Sequence, residues 1–151
     1  MPGMRFNHME LSFPVGTLTP EFRAEVDAFY CDVLGWQALD TEVVGQSCHL
    51  LLPDDGQFIL LAEGGQPLSS PGYDHLGLLM DTRHEVDTVL EWCRTFRADD
   101  PRLRIKEYED LVGPTLTVHA FYLRYLLPIW FDVQCMERPP GTGPARRWQY
   151  T

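Results

Sequence analysis

No apolar run in the sequence approaches the roughly 20 residues that a membrane-spanning helix needs. The opening residues, MPGMRFNHME, hold no apolar stretch of signal-peptide length, so export is not expected and the location read from the sequence is cytoplasmic. Positive charge is scarce: 12 Lys and Arg stand against 22 Asp and Glu, a formal net charge of −10. That balance argues against nucleic acid, whose phosphates need clustered Lys and Arg, and against an anionic membrane surface. Cysteine is sparse, and Cys31, Cys48, Cys93 and Cys135 lie far apart in the chain. Their spacing excludes a cysteine zinc site and fits reduced, mostly buried thiols. What is present is apolar material, 44% of 151 residues, enough for the core of one compact domain or of two small, tightly joined modules.

Residues 5–13 alternate as a strand, with His8, Glu10 and Ser12 on one face and Asn7, Met9 and Leu11 on the other. Thr19 and Pro20 then suit the start of a helix over 20–34, with an apolar stripe through Phe22, Val26, Phe29, Tyr30, Val33 and Leu34, and Gly35 suits its end. Strands are expected around 36–44, 47–52 and 57–62, the last two joined by the turn Pro53-Asp54-Asp55-Gly56. Residues 63–72 read as a linker rich in Gly, Pro and Ser.

The same order then recurs. Residues 73–80 read as a strand, and Thr82 with Glu85 forms a capping box for a helix over 83–97 that turns Val86, Val89, Leu90, Cys93 and Phe96 inward. Strands follow at 103–109, 115–123 and 129–136. Asn7-His8-Met9-Glu10-Leu11 is echoed by Asp74-His75-Leu76-Gly77-Leu78, and Glu25-Val26-Asp27 by Glu85-Val86-Asp87. A repeated strand, helix and three strands, with a histidine in each opening strand, is the signature of an internal duplication. The modules are expected over 1–67 and 68–137. An irregular tail over 138–151 follows, with Trp148 and Tyr150 as candidate anchors.

On these residues, and on Phe29-Tyr30-Cys31-Asp32-Val33-Leu34-Gly35-Trp36 at the first helix end and Trp130-Phe131-Asp132-Val133-Gln134 in the last strand, the chain resembles the vicinal oxygen chelate superfamily of glyoxalases, bleomycin-resistance proteins and extradiol dioxygenases. The resemblance implies an α+β fold of two βαβββ modules whose curved mixed sheets surround a cleft. It also implies that metal ligands come from the opening and closing strands of each module. Here the opening positions match His8 and His75, and the closing position of the second module matches Asp132, although a register shift of one residue would put Phe131 there. The closing position of the first module reads Leu60, where a glyoxalase has Glu, so a glyoxalase set of four protein ligands is incomplete.

Two imidazoles and one carboxylate leave coordination positions open for water and substrate oxygens. Fe(II) is the most reactive candidate, and Zn, Mn, Ni or Co also suits such a set. Glu10, two residues beyond His8, is a candidate general base, a fourth ligand or a hydrogen-bond partner for an imidazole. Gln134, Trp130, Tyr122 and Arg124 are candidate substrate-binding groups, the arginine as an anion clamp. His49 and His119 read as structural. Three functions follow. The first is a metal-dependent enzyme of dioxygenase, lyase or isomerase type acting on a small oxygen-rich molecule. The second is a metal-free protein that binds or sequesters a small molecule, as resistance proteins do. The third is an accessory subunit of a larger assembly. A homodimer is expected, with the site inside one chain or shared between two.

Overall fold

A computed structural model describes residues 3–143, and the expected anchors Trp148 and Tyr150 lie outside the described residues. The elements run β1 (His8–Phe13), α1 (Pro20–Tyr30), β2 (Gln37–Val43), β3 (Gln46–Asp54), β4 (Gln57–Glu63), β5 (His75–Leu79), α2 (Arg83–Asp99), β6 (Arg104–Glu107), β7 (Leu111–Val112), β8 (Thr117–Arg124) and β9 (Trp130–Glu137). The first sheet has the order β1-β4-β3-β2. The second has β5-β9-β8-β6, with the short β7 also on β8. In each sheet the opening strand pairs in parallel with the closing strand, and the other neighbours are antiparallel. This is the α+β architecture of mixed sheets and helices that the repeat implies.

One face of each sheet is helix-covered and supplies a common core. Leu11 and Phe13 of β1 and Leu61 of β4 join Val26, Phe29 and Tyr30 of α1. The same cluster takes in Val86, Val89 and Cys93 of α2 with Phe121 of β8 and Phe131 and Val133 of β9. The seam between the modules is aromatic. Phe29 meets Phe96 and Tyr125 at ring distances of 5.0 and 5.1 Å, and the buried Tyr30 hydroxyl donates to the Tyr125 carbonyl at 2.8 Å. Each such ring contributes about 1.5–3 kcal/mol by leaving water. The other face of each sheet carries no helix, and that is where β1, β5 and β9 aim the residues singled out above.

Three boundaries differ from the sequence reading. Helix α1 ends at Tyr30 rather than residue 34, because the amides of Asp32 and Leu34 reach back five residues to the carbonyls of Asp27 and Phe29 and widen the last turn. Gly35 still closes this segment, with φ of +76° that suits glycine. Strand β3 runs through Pro53, which the ladder tolerates at a register shift between Leu51 and Asp54. The two-residue β7 lies where a loop was expected, and its exposed Leu111 and Val112 give no burial pattern to read. Among the described residues no helix is long and apolar enough to cross a membrane. The four cysteines are free thiols, and burial pushes Cys93 up to about 12.

Candidate functional site

The site is built on the open face of the second sheet. His75 of β5 pairs with Trp130 of β9, and Gly77 pairs with Asp132, so side-chain alternation puts His75, Trp130, Asp132 and Gln134 on one side. Phe131, the alternative to Asp132, points the other way into the core and is fully buried. The His75 Nδ1 lies 2.8 Å from the Tyr73 carbonyl. Donation there leaves Nε2 with its lone pair, and Nε2 lies 3.8 Å from Asp132 Oδ2. Asp132 is buried and accepts from the Tyr108 hydroxyl at 3.1 Å and from Gln134 Nε2 at 3.3 Å. Burial raises its pKa, and the Tyr108 hydrogen bond and the His75 charge only partly offset this. Burial, and then the Asp132 charge, push the Tyr108 phenol upward in turn.

These residues suit a divalent metal. An imidazole whose Nδ1 proton is held by a carbonyl has a fixed ring and a basic Nε2, the usual arrangement of a histidine ligand. Two ligand atoms each about 2.1 Å from an ion stand roughly 3.0–3.4 Å apart, so the observed 3.8 Å needs only a small closure. Glycine at 77 keeps the space open: a Cβ there would come within 3.1 Å of Gln134 Nε2 and press that side chain onto Asp132.

His8 is on the open face of the first sheet. Its ring stacks on Phe58 with centroids 4.6 Å apart, and its Nδ1 is 2.9 Å from Asn7 Oδ1. As in His75, the proximal nitrogen is anchored. Glu10 is exposed on the same face and pairs with Leu60, while Cys48, Leu60 and Ala62 form a small apolar cluster beside it. Leu60 therefore holds the register position in the first sheet that Asp132 holds in the second. Glu63, on the opposite strand face, accepts from the Leu18 amide at 2.7 Å and ties down the connection into α1.

His8 and the His75–Asp132 pair do not meet within one chain. Among the described residues no group of three or more His, Cys, Asp or Glu side chains stands together to hold a metal. Of the substrate-binding candidates, Tyr122 lies at the centre of the face, with ring distances of 5.0 Å to His75 and 5.2 Å to Tyr108. Trp130 is buried and donates to the Gly72 carbonyl at 3.1 Å, and Arg124 donates to the Ser70 carbonyl at 2.9 Å.

Two polar networks on the helix-covered faces were not foreseen as units. His49 joins Asp40 through Nδ1 and Asp27 through Nε2, both at 2.7 Å, and Arg23 holds Asp40 at 2.7 Å. In the second module His119 joins Asp110 through Nδ1 at 2.8 Å and Asp87 through Nε2 at 2.7 Å, and Arg83 clamps Asp110 and Glu137. Burial alone would lower the His119 pKa, but the bonds to Asp110 and Asp87 prevail and raise it. Asp110 is lowered to about 2 by Arg83 and then His119. The signal was present in Arg23-Ala24-Glu25-Val26-Asp27 and Arg83-His84-Glu85-Val86-Asp87, each followed by an aspartate nine residues before the histidine.

Comparison with known proteins agrees with this fold. A glyoxalase family protein from Bacillus anthracis superposes with a TM-score of 0.59 at 12% identity, covering 91% of this chain and 98% of its own. The fosfomycin resistance protein FosX from Listeria monocytogenes gives 0.58 at 14% identity, covering 88% and 90%. A mutant of FosX, solved with Mn(II) and 1S,2S-dihydroxypropylphosphonic acid, gives 0.56 at 14% identity, covering 88% and 91%. At such identities the likeness is one of fold. No curated protein matches the sequence. The sequence model of one family matches residues 24–113, well over half the chain, and the chain belongs to that family, the Glyoxalase/Bleomycin resistance protein/Dioxygenase superfamily.

Proposed function

We propose that this chain is a metal-dependent vicinal-oxygen-chelate enzyme, of dioxygenase or lyase/isomerase type, acting on a small oxygen-rich molecule. The observation that carries the reading is the His75–Asp132 pair: two ligand-type atoms 3.8 Å apart on an open sheet face, each ligand held from behind by a further hydrogen bond. His8 is the third ligand and comes from the partner of a homodimer, whose first sheet would lie over this face. The apolar residues left on the open faces support such a cover, above all Leu79, 68% exposed one strand from Gln134. A divalent ion held here would act as a Lewis acid toward a pair of neighbouring oxygens. Tyr108 and Gln134 keep Asp132 oriented, and the Tyr73 carbonyl keeps the His75 ring in place. Glu10, exposed beside His8, is the group placed to accept a proton from substrate. Free thiols throughout fit a cytoplasmic location.

A second reading, a metal-free binding protein, is favoured by one feature: Leu60 occupies the position where the first sheet would supply a fourth ligand. Metal analysis of protein purified without a histidine tag decides between the two. The enzyme reading expects about one divalent ion per subunit, lost in His75→Ala, Asp132→Ala and His8→Ala. Metal content unchanged in His75→Ala contradicts it. Absence of metal with retained ligand binding favours the second reading.

A further inference from the structure

Basic residues are few, and several of the arginines are neutralised: Arg23, Arg83, Arg94 and Arg102 each touch a carboxylate. Three cations on the open face of the second sheet are held differently. Arg104 pairs with Arg124 in the ladder, and Lys106, the single lysine of the sequence, pairs with Tyr122. The Arg104 guanidinium lies over the Trp130 ring at 4.7 Å, and the Lys106 ammonium lies over the Tyr73 ring at 3.7 Å. Arg124 donates to a backbone carbonyl, that of Ser70. Each cation is thus oriented by a neutral partner, a π face or a carbonyl. In a chain of net charge −10, three adjoining cations that pair with no carboxylate among the described residues leave an electrostatic demand that a ligand can meet.

The positions of these groups set the length and shape of that ligand. Lys106, Tyr122 and Asp132 follow one another across β6, β8 and β9, and Gly77 on β5 completes the row. Two strand spacings separate the cationic edge from Asp132, about 10 Å at the backbone, and the long basic side chains shorten the gap. Tyr122 lies in the middle of this span, half-buried, with the Tyr73 ring stacked beside it at 6.0 Å. Beside Arg104 and Arg124, at the end of the face away from His75 and Asp132, a cavity of about 330 Å³ is lined also by Arg102, Phe13, Leu126, Leu127 and Pro128. That is room for a small organic molecule.

We propose that the ligand of this face is a small organic acid with a flat, apolar middle. Its anionic group is seated by Arg104, Lys106 and Arg124, its body lies on Tyr122, and its oxygenated end reaches His75 and Asp132. The proposal rests on the reading that this pair marks the reacting end, but the anion seat itself contains no metal ligand. A bidentate or cation-flanked carboxylate is the natural occupant, because guanidinium geometry matches two oxygens.

Calorimetric titration of the full chain with benzoate, benzyl alcohol and inorganic phosphate tests it, first after chelator treatment and then with Mn(II) added. The chelated protein should bind benzoate at least tenfold more tightly than either benzyl alcohol or phosphate, and the affinity should fall as NaCl is raised. Lys106→Met and Arg104→Gln should each weaken benzoate at least tenfold and leave benzyl alcohol unchanged, with thermal melts showing both variants folded. Equal affinity for benzoate and benzyl alcohol, or for benzoate and phosphate, overturns the proposal. So does benzoate binding that needs Mn(II) and ignores both substitutions. Failure of the protein to take up added Mn(II), with benzoate still bound, overturns the enzyme reading and leaves the anion seat standing.

Discussion

Replacing His49 with leucine removes the bridge between α1 and the first sheet. The ring is 3% exposed and gives up two bonds of 2.7 Å, to Asp27 and to Asp40. Hydrogen bonds to charged groups are worth about 1.5–3 kcal/mol each. The two aspartate side chains are 37% and 67% exposed, so water takes over much of their solvation, and the discounted loss is about 2–3 kcal/mol for the pair. Leucine in the vacated space returns up to about 1 kcal/mol by apolar burial. The net cost is about 2 kcal/mol, which in a chain of this length lowers the melting temperature by about 4–8 °C. Thermal unfolding at pH 6 by circular dichroism measures it. His119→Leu should behave alike, and the double variant should show the sum, because the two networks lie on separate sheets. A single variant melting within 1 °C of the parent refutes the assignment of these histidines as helix–sheet staples.

Acid titration of stability follows from the same networks. The carboxyls of Asp40 and Asp110 are held below their usual value of 3.8, Asp40 by His49 and then Arg23, so their contribution is present above about pH 4 and is lost as pH falls toward 2. The raised His119 acts oppositely, contributing fully below about pH 6.5 and less as pH rises through its folded value. Urea midpoints should therefore peak on the acid side of neutrality, and His119→Gln should flatten the alkaline arm. Tyr30→Phe, which leaves the buried Tyr125 carbonyl without its 2.8 Å partner, should cost about 1–3 kcal/mol in urea unfolding. Gly77→Val should weaken metal binding at least tenfold without lowering the melting temperature by more than a few degrees, since it crowds Gln134 against Asp132 on an open face.

The fold was readable because its determinants are local and repeated. Thr82 and Glu85 mark the start of α2, and the structure contains the full capping box. Alternation in β1 and β5 set His8 and His75 on the helix-free faces, and the parallel pairing of Gly77 with Asp132 resolved the register against Phe131. The structural roles of His49 and His119 were foreseen, but their partners were not, because Asp27 and Asp40 are brought to one ring by tertiary contact between a helix and two strands. The cations followed the same rule. Arg124 was read from the sequence as a candidate anion clamp, whereas Arg104 and Lys106 gain their meaning only from the π faces of Trp130 and Tyr73, which β9 and the segment before β5 supply. The short β7 had no pattern to betray it, since both of its side chains are exposed.

Mixed dimers separate a shared metal site from any other arrangement. His8→Ala and His75→Ala subunits, each expected to bind no metal as homodimers, are co-expressed with different tags and the hybrid isolated for metal analysis. If His8 of one subunit completes the His75–Asp132 pair of the other, the hybrid keeps one intact site and carries one ion per dimer. A hybrid without metal, or a His8→Ala homodimer that binds as much as the parent, contradicts the site described above.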